Sequence, residues 1–452
     1  MRSPAPTYRP IVLSIAGSDS GGGAGIQADI KAIEAAGGFA ATALTAITAQ
    51  NTVGVEDVEV LESSIIEAQL DAVIDDLAVA GIKTGMLATT EVIETVDAAI
   101  VGVDAPVVID PVMVAASGDR LLDATAEQAY ETLIDGATLV TPNADEATVL
   151  TGITITDADD AVEAGEVLLD LGADAALIKG GHWGDDLIID TLVTAETTET
   201  ITHDRIATNA THGSGCYLAS SIATLLARGA KLTDAVGTAI ADTSRTIRYH
   251  LDIGEGPGSV HHLAPLRTRA AVGETIETAT MLIDRLQRSG IDPIVPEVGM
   301  NIGIALPHAE IPQEIVAIDG RLVRTSEGIV QAGPVRLGGS GHVARYLLAV
   351  REHVPAYRAV ANVRFTEAIE EAMEALGWET HEIDREDQPT AVAEREGGTM
   401  GWVAATVYGE GAAPAAVFDR GAPGKEAMVR VVTTNPIELG DRLIALAEET
   451  RQ

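Results

Sequence analysis

Ile11-Val-Leu-Ser-Ile-Ala16, then Gly17-Ser-Asp-Ser-Gly-Gly-Gly-Ala-Gly25, then Ile26-Gln-Ala-Asp-Ile-Lys-Ala-Ile-Glu-Ala-Ala36 is the stretch that decides the fold. The first six residues form a short apolar run, as a strand covered on both faces does. The last eleven read as an amphipathic helix. The nine between them form a glycine turn that lets backbone approach a ligand closely. It is not a P-loop, because no Lys-Ser/Thr pair follows the glycines. The same alternation continues to about Tyr249. Val107–Asp110 reads as a strand ending in an acid, and Thr138–Thr141 and Ala175–Lys179 as strands leading into polar loops. Repeated β-loop-α units predict an α/β fold with a mostly parallel sheet between helices. Ligands of such sheets lie beyond the carboxyl ends of the strands, so these loops are expected to meet there.

Thr208-Asn-Ala-Thr-His-Gly-Ser-Gly-Cys216 precedes the apolar run Tyr217–Ala227. Gly213, Ser214 and Gly215 sit where a helix should begin. N–H groups and the positive end of the dipole then point at one spot, which suits a transferring phosphoryl group. The same setting lowers a thiol's pKa, making Cys216 a candidate base; a helix start with an inert buried cysteine is the competing reading. Asp110, Asn143, Glu146 and Lys179 each follow a strand-like run. Phosphoryl transfer needs acids or amides to hold Mg²⁺ and a cation beside the β/γ oxygens. Helix caps or solvated loop charges account for them equally well one at a time. Asp29 binds a polar ligand or merely decorates the helix start. Gln50 has a carboxamide that both donates and accepts, as a pyrimidine edge requires, or it satisfies local backbone. His182 and His212 lack metal-ligand spacing and read as loop residues.

The 452 residues exceed one typical domain. Hydrophobic residues make up 46% and aromatics 3%, so the cores are built of Ala, Val, Ile and Leu. The formal charge of −39 is spread along the chain. That excludes the basic footprint of nucleic-acid binding and resembles a salt-adapted surface, where screening tolerates self-repulsion. One cysteine excludes an intrachain disulfide and fits a reducing cytoplasm. No apolar run reaches a membrane span, so no membrane partner is expected. The turn-rich Gly254–His262 places a boundary near Pro265, giving domains 1–265 and 266–452.

In the second half, Val272, Ile276, Ala279, Ile283 and Leu286 form one apolar helix face. Arg336-Leu-Gly-Gly-Ser-Gly-His342 feeds a second helical pattern, Val343–Val350, so an anionic ligand is one reading and an ordinary helix start the other. Arg321 follows the strand Ile315–Ile318, with Arg324 near. Asp419–Glu426 places Arg420 and Lys425, one of only five lysines, in a loop. Cations gathered in the loops of an acidic chain suggest anion ligands, with neighbouring salt bridges as the alternative.

Ala16–Ala28, Ala49-Gln-Asn51, Lys83-Thr-Gly-Met-Leu87, Asp110-Pro-Val-Met113, Ser117-Gly-Asp119, Thr141–Glu146, Lys179-Gly-Gly-His182 and Thr211–Cys216 resemble, in order, the hydroxymethylpyrimidine/phosphomethylpyrimidine kinases of thiamine synthesis. The resemblance implies a ribokinase-like α/β/α sandwich that phosphorylates a pyrimidine alcohol and then its phosphate. It puts pyrimidine contacts on Ala24, Asp29, Gln50, Met86 and Val112. ATP and Mg²⁺ contacts fall on Asp110, Glu146 and Lys179, and the anion hole on Gly213, Ser214 and Gly215. Val295–Gly303, Ile318-Asp-Gly-Arg321, Gly338–Ala344 and Asp419–Glu426 resemble the archaeal-type thiamine-phosphate synthase domain, a second α/β domain. That implies thiazole phosphate as a further substrate, with Arg321 and His342 catalytic and Arg420 and Lys425 as weaker phosphate contacts. A homo-oligomer is expected. The alternative is a pyridoxal-type kinase carrying a thiamine-phosphate-sensing module.

Overall fold

The computed structural model describes residues 8–113, 126, 128–181, 187–389, 398–409, 411–422 and 426–452. It packs as two compact units, Met1–Leu266 and Arg267–Gln452. No helix among the described residues is long and apolar enough to cross a membrane.

The first unit is built on strands β1 (Ile11–Ala16), β2 (Phe39–Leu44), β3 (Ala46–Gln50), β4 (Val55–Val60), β5 (Val79–Thr84), β6 (Val107–Ile109), β7 (Leu139–Val140), β8 (Ala175–Ile178), β9 (Leu187–Thr194) and β10 (Thr198–Asp204). Its helices are α1 (Gly25–Ala35), α2 (Ser63–Ile74), α3 (Thr90–Ile100), α4 (Ala129–Ile134), α5 (Ala144–Thr151), α6 (Ala158–Asp170), α7 (Ser214–Ala227) and α8 (Leu232–Arg248). Eight strands form one sheet in the order β10-β9-β8-β7-β6-β5-β1-β2. It is parallel from β2 to β8, and β9 and β10 add antiparallel. The short strands alternate their side chains between two apolar layers. Leu13, Ile15, Ile109, Val140 and Ile178 pack under α2–α6. Val12, Val108, Leu139 and Leu177 pack under α1, α7 and α8. This is the α/β/α sandwich read from the β-loop-α repeats. From β1 the chain runs to β2 on one side and later returns to β5 on the other, so a topological switch lies between β1 and β5. Helix α7 crosses β1, β5 and β6 on one face. The apolar stretch Ala43–Ile47 is divided: Thr45 lies between β2 and β3, and β3 pairs with β4 in a separate two-stranded sheet. Thr45 turns the chain there, donating its hydroxyl to the Met86 carbonyl (2.6 Å).

Helix α9 (Ala264–Ala270) spans the division between the units. The second unit holds α10 (Val272–Arg288), β11 (Ile302–Ala305), β12 (Ile315–Ile318), β13 (Arg321–Thr325), β14 (Gly328–Ala332), β15 (Val335–Leu337), α11 (Gly341–His353), β16 (Ala359–Arg364), α12 (Glu367–Ala375), β17 (Thr380–Glu382), α13 (Gly398–Tyr408), β18 (Ala416–Asp419), β19 (Met428–Thr433) and α14 (Pro436–Glu449). A seven-stranded sheet runs β15-β12-β11-β16-β19-β18-β17, antiparallel except at β17–β18. Ile302, Ile304, Val429 and Val431 face α10 and α14. Ala305, Ala317, Val360 and Val417 face α11 and α13. It is a second, separately cored α/β unit.

Candidate active site and a second cationic cluster

The loops after β1, β5, β6, β7 and β8 meet, with the first turn of α7, around a cavity of about 960 Å³. Ala24, Gln50, Met86, Val112, Asp110, Asn143, Glu146, Lys179, Gly213, Ser214, Gly215 and Cys216 all line it. Strand β3 brings Thr48 and Gln50 to its wall. Met86 is nearly buried in a small apolar patch with Ala46, Ala88 and partly buried Val112. Ala88 closes that loop at φ 65°, a backbone region non-glycine residues seldom occupy. His182 and the segment Ser117-Gly-Asp119 lie outside the described residues.

At one end stands a charged cluster. Lys179 Nζ lies 3.1 Å from Asp110 Oδ1 and 3.8 Å from Glu146 Oε2. Asn143 and Glu146 also form a reciprocal capping box at the start of α5, each accepting the other's backbone N–H (2.9 and 2.8 Å). The cap reading and the ligand reading therefore describe the same residues: the box aims the Glu146 carboxylate. Burial pushes Glu146 up to about 7, with Lys179 opposing and Asp110 adding to the rise. A Cβ at Gly215 would stand 3.6 Å from both Asp110 Oδ2 and Lys179 Nζ, so the first turn of α7 faces this cluster. Gly213 takes φ 86°, and no side chain caps the helix. One expectation is corrected in part. The Ser214 N–H donates to the Thr211 carbonyl (3.0 Å), so it is not a bare amide.

Cys216 departs from the expectation more strongly. Burial pushes its thiol up to about 12; Lys83 and a Gly25 N–H bond pull the other way and lose. The helix N-terminus was expected to lower it. Desolvation of the thiolate dominates even in the first turn of the helix, where the dipole is strongest.

Asp29 does not reach the cavity wall. Its carboxylate is fully buried and accepts from Ser14 (2.6 Å), Ser220 (2.8 Å) and Lys83 (3.0 Å to each oxygen). Lys83, its partner, does line the cavity. Lys83 is fully buried; burial alone would lower its ammonium, but Asp29, followed by Cys216 and Asp110, holds it above its usual value. The scarcity of lysine, five in the whole chain, is the signal in the sequence that marks Lys83. Asp19 was also missed. Its carboxylate accepts from the N–H groups of Gly21, Gly23 and Ala24 (2.8, 2.9 and 2.7 Å) and lies 3.0 Å from His212 Nε2. Burial alone would raise it, yet the His212 bond and these amides hold it below the usual carboxylate range. His212 thus ties the glycine turn to the loop before α7, the structural role read for it.

In the second unit, Arg321 opens β13 and donates to the Val298 carbonyl, and His342 is the second residue of α11. His342 is exposed on one side. Partial burial, then Arg430, Arg345, Arg321 and Arg385 in that order, pull its imidazole below the ordinary value. Arg321 and His342 are thereby brought together. Arg420 is not with them. It pairs with Glu382 (2.6 Å) and Glu370 (2.8 Å) and lies over the Phe365 and Phe418 rings (5.1 and 5.7 Å). Its charge is answered by glutamates 50 and 38 residues away, so the salt-bridge account holds there. Lys425 lies outside the described residues.

Comparison with known proteins fits this geometry. The profile of the family described as "Phosphomethylpyrimidine kinase" matches residues 19–261, more than half of the chain. That of "Thiamine-phosphate synthase ThiN" matches residues 279–445. The hydroxymethylpyrimidine/phosphomethylpyrimidine kinase of Streptomyces coelicolor is 42% identical over 264 residues, 58% of this chain and 98% of that protein. The protein of the same description from Rhizobium meliloti is 44% identical over 256 residues, 56% of this chain and 96% of its own length. Among solved structures, a pyridoxal kinase from Staphylococcus aureus in complex with AMP-PCP and pyridoxal is 32% identical. It covers 58% of this chain and 96% of its own, with a TM-score of 0.54.

Proposed function

The chain belongs to the phosphomethylpyrimidine kinase family, and from that premise we propose that its first unit transfers phosphate from ATP to the alcohol of 4-amino-5-hydroxymethyl-2-methylpyrimidine and then to the resulting phosphate. The second unit, matched by the synthase family, joins that diphosphate to 4-methyl-5-(2-phosphoethyl)thiazole, releasing pyrophosphate and giving thiamine phosphate. The two units thus catalyse consecutive steps of thiamine biosynthesis, on a ribokinase-like fold and a second α/β domain.

The observation that carries the kinase reading is the opposition of Lys179, Asp110 and Glu146 to the glycine-rich start of α7 across one cavity. Lys179 holds a fixed positive charge where the β/γ oxygens of ATP would lie, and the α7 amides face the passing phosphoryl group. Among the described residues no three metal-binding side chains converge. Two carboxylates do, and Mg²⁺ accepts one or two carboxylates completed by water and phosphate oxygens. Asp110 and Glu146 would hold it, and it would neutralise charge on the transferring phosphates. Gln50, Met86, Val112 and Ala24 form the wall fitted to a flat, hydrogen-bonding ring. Asp29 supports that wall through Lys83. The charge of −39 supports a cytoplasm rich in salt.

Cys216 lines the cavity beside Lys83, and burial pushes its thiol up, which favours orienting the acceptor hydroxyl over taking its proton. The second acceptor is already an ionised phosphate and needs no such help. Cys216→Ala is therefore expected to slow the first transfer about 10- to 100-fold and the second far less. Single-turnover rates on each substrate measure this; equal losses would refute the role.

The whole reading is tested by incubating the full chain at high salt with ATP, Mg²⁺, the pyrimidine alcohol and the thiazole phosphate, with parallel reactions in which pyridoxal or the pyrimidine diphosphate replaces the alcohol. Mass analysis is expected to find pyrimidine mono- and diphosphate and thiamine phosphate. Faster turnover of pyridoxal, with no diphosphate formed, would overturn the kinase assignment in favour of a pyridoxal kinase. Supplied diphosphate left unjoined would leave the second unit a sensing module.

A further inference from the structure

The end of β18 in the second unit gathers a set of charged side chains. Asp419, at the end of β18, is 2% exposed. One of its oxygens accepts from Arg385 Nε (2.7 Å) and the Gly421 N–H (3.0 Å). The other accepts from Arg385 Nη2 (2.9 Å) and Arg430 Nη1 (3.1 Å). Arg385 is thus held bidentately, the most geometrically exacting form of this pair. Arg430 is 6% exposed and lies over the Tyr346 ring at 5.6 Å. Tyr346 is one helical turn beyond His342 on α11, which points Arg430 toward the start of that helix. Arg345, three residues beyond His342, lies on the same face.

Burying Asp419 and Arg430 is expensive, and replacement of buried ion pairs by apolar residues is often neutral or stabilising. Among the described residues, Asp419 is the carboxylate that both guanidiniums share, one negative charge to two positive. The guanidiniums of Arg430, Arg345, Arg321 and Arg385 all act on His342. In a chain carrying −39, such a concentration is not the surface average. Arginines fixed in advance bind a phosphate fork without losing side-chain freedom on binding.

We propose that Arg385 and Arg430, locked by Asp419, form an anion subsite beside His342 that receives a phosphate or diphosphate group of the second unit's substrates. This rests on the synthase reading for the identity of the substrate, though not for the binding of the anion.

The test compares the full chain with its Arg385→Gln variant, because Arg385 is the less buried of the pair and Arg430 remains to answer Asp419. Calorimetry with inorganic pyrophosphate and, separately, inorganic phosphate is run with the kinase site saturated by a non-hydrolysable ATP analogue. A loss of affinity of tenfold or more for either anion is expected, and the anion affected tells which group the subsite receives. In the coupling assay, KM for the pyrimidine diphosphate or the thiazole phosphate should rise about as much, with an unchanged thermal melting curve as the check on folding. Arg430→Lys, which keeps the charge but loses the fork, should give a smaller loss. Equal binding by both proteins, or no binding of either anion by the unaltered chain, would overturn the subsite. Anion binding that depends on Arg385 in a chain that forms no thiamine phosphate would uphold the subsite and sink the synthase reading alone.

Discussion

Replacing Lys179 by methionine is expected to lower kcat for both phosphorylations about 10³-fold, while KM for the pyrimidine moves only a few-fold. The magnitude is that of removing a preorganised charge from a phosphoryl-transfer site. Lys179 lies between Asp110 and Glu146 and faces the first turn of α7, on the phosphate side of the cavity. The residues proposed for the pyrimidine stand apart from it: Met86 and Val112 share the patch with Ala46. Both transfers use the same donor, so both should fall together, unlike the Cys216 variant. Methionine keeps the apolar stem and removes the ammonium. Asp110 and Glu146 then face each other with no cation between them, and the already raised Glu146 carboxyl should be protonated still more readily. Calorimetric binding of the pyrimidine separates a lost charge from a collapsed site. A fall of less than tenfold, or a parallel loss of pyrimidine affinity, would remove Lys179 from the proposed role.

The parts of this site legible in the sequence are those with local causes. A strand ending in an acid, or a glycine turn feeding a helix, fixes where a residue sits relative to its own element. The sheet then gathers such ends at one edge, which is why the sequence alone groups Asp110, Glu146, Lys179 and Gly213. What escaped depends on partners distant in the chain. Asp29 and Lys83 are 54 residues apart, and their pairing puts Asp29 behind Lys83 rather than on the cavity wall. Arg420 met Glu370 and Glu382 for the same kind of reason. The thiol of Cys216 was misjudged because dipole direction follows from sequence while burial does not. Strands β9 and β10 were not foreseen as antiparallel, since their side chains carry no mark of direction. In the second unit, Arg385, Asp419 and Arg430 come together only through the order β19-β18-β17.

Gly213→Ala is expected to reduce kcat for both transfers about 10²- to 10³-fold, the range for disabling an oxyanion-type donor. Two effects of one methyl group must be separated. At φ 86° a side chain costs roughly 1–2 kcal/mol in backbone strain. A Cβ there would also collide with the Gly23 carbonyl oxygen and come within 3.0 Å of His262 Nε2. That carbonyl belongs to the glycine turn that Asp19 and His212 hold rigid, so it cannot simply yield. The loop before α7 must move instead, carrying the amides of Gly213 and Gly215 away from the Lys179 cluster. Gly229, just past the end of α7, isolates the first effect. It has φ 84°, and a Cβ there would meet nothing within 4 Å. Gly229→Ala should therefore lose similar conformational stability in a melting experiment and keep its kcat within a few-fold. If Gly213→Ala melts lower yet turns over like Gly229→Ala, the contact between the two glycine loops does not set the anion hole. The phosphoryl group must then be stabilised elsewhere in the cavity.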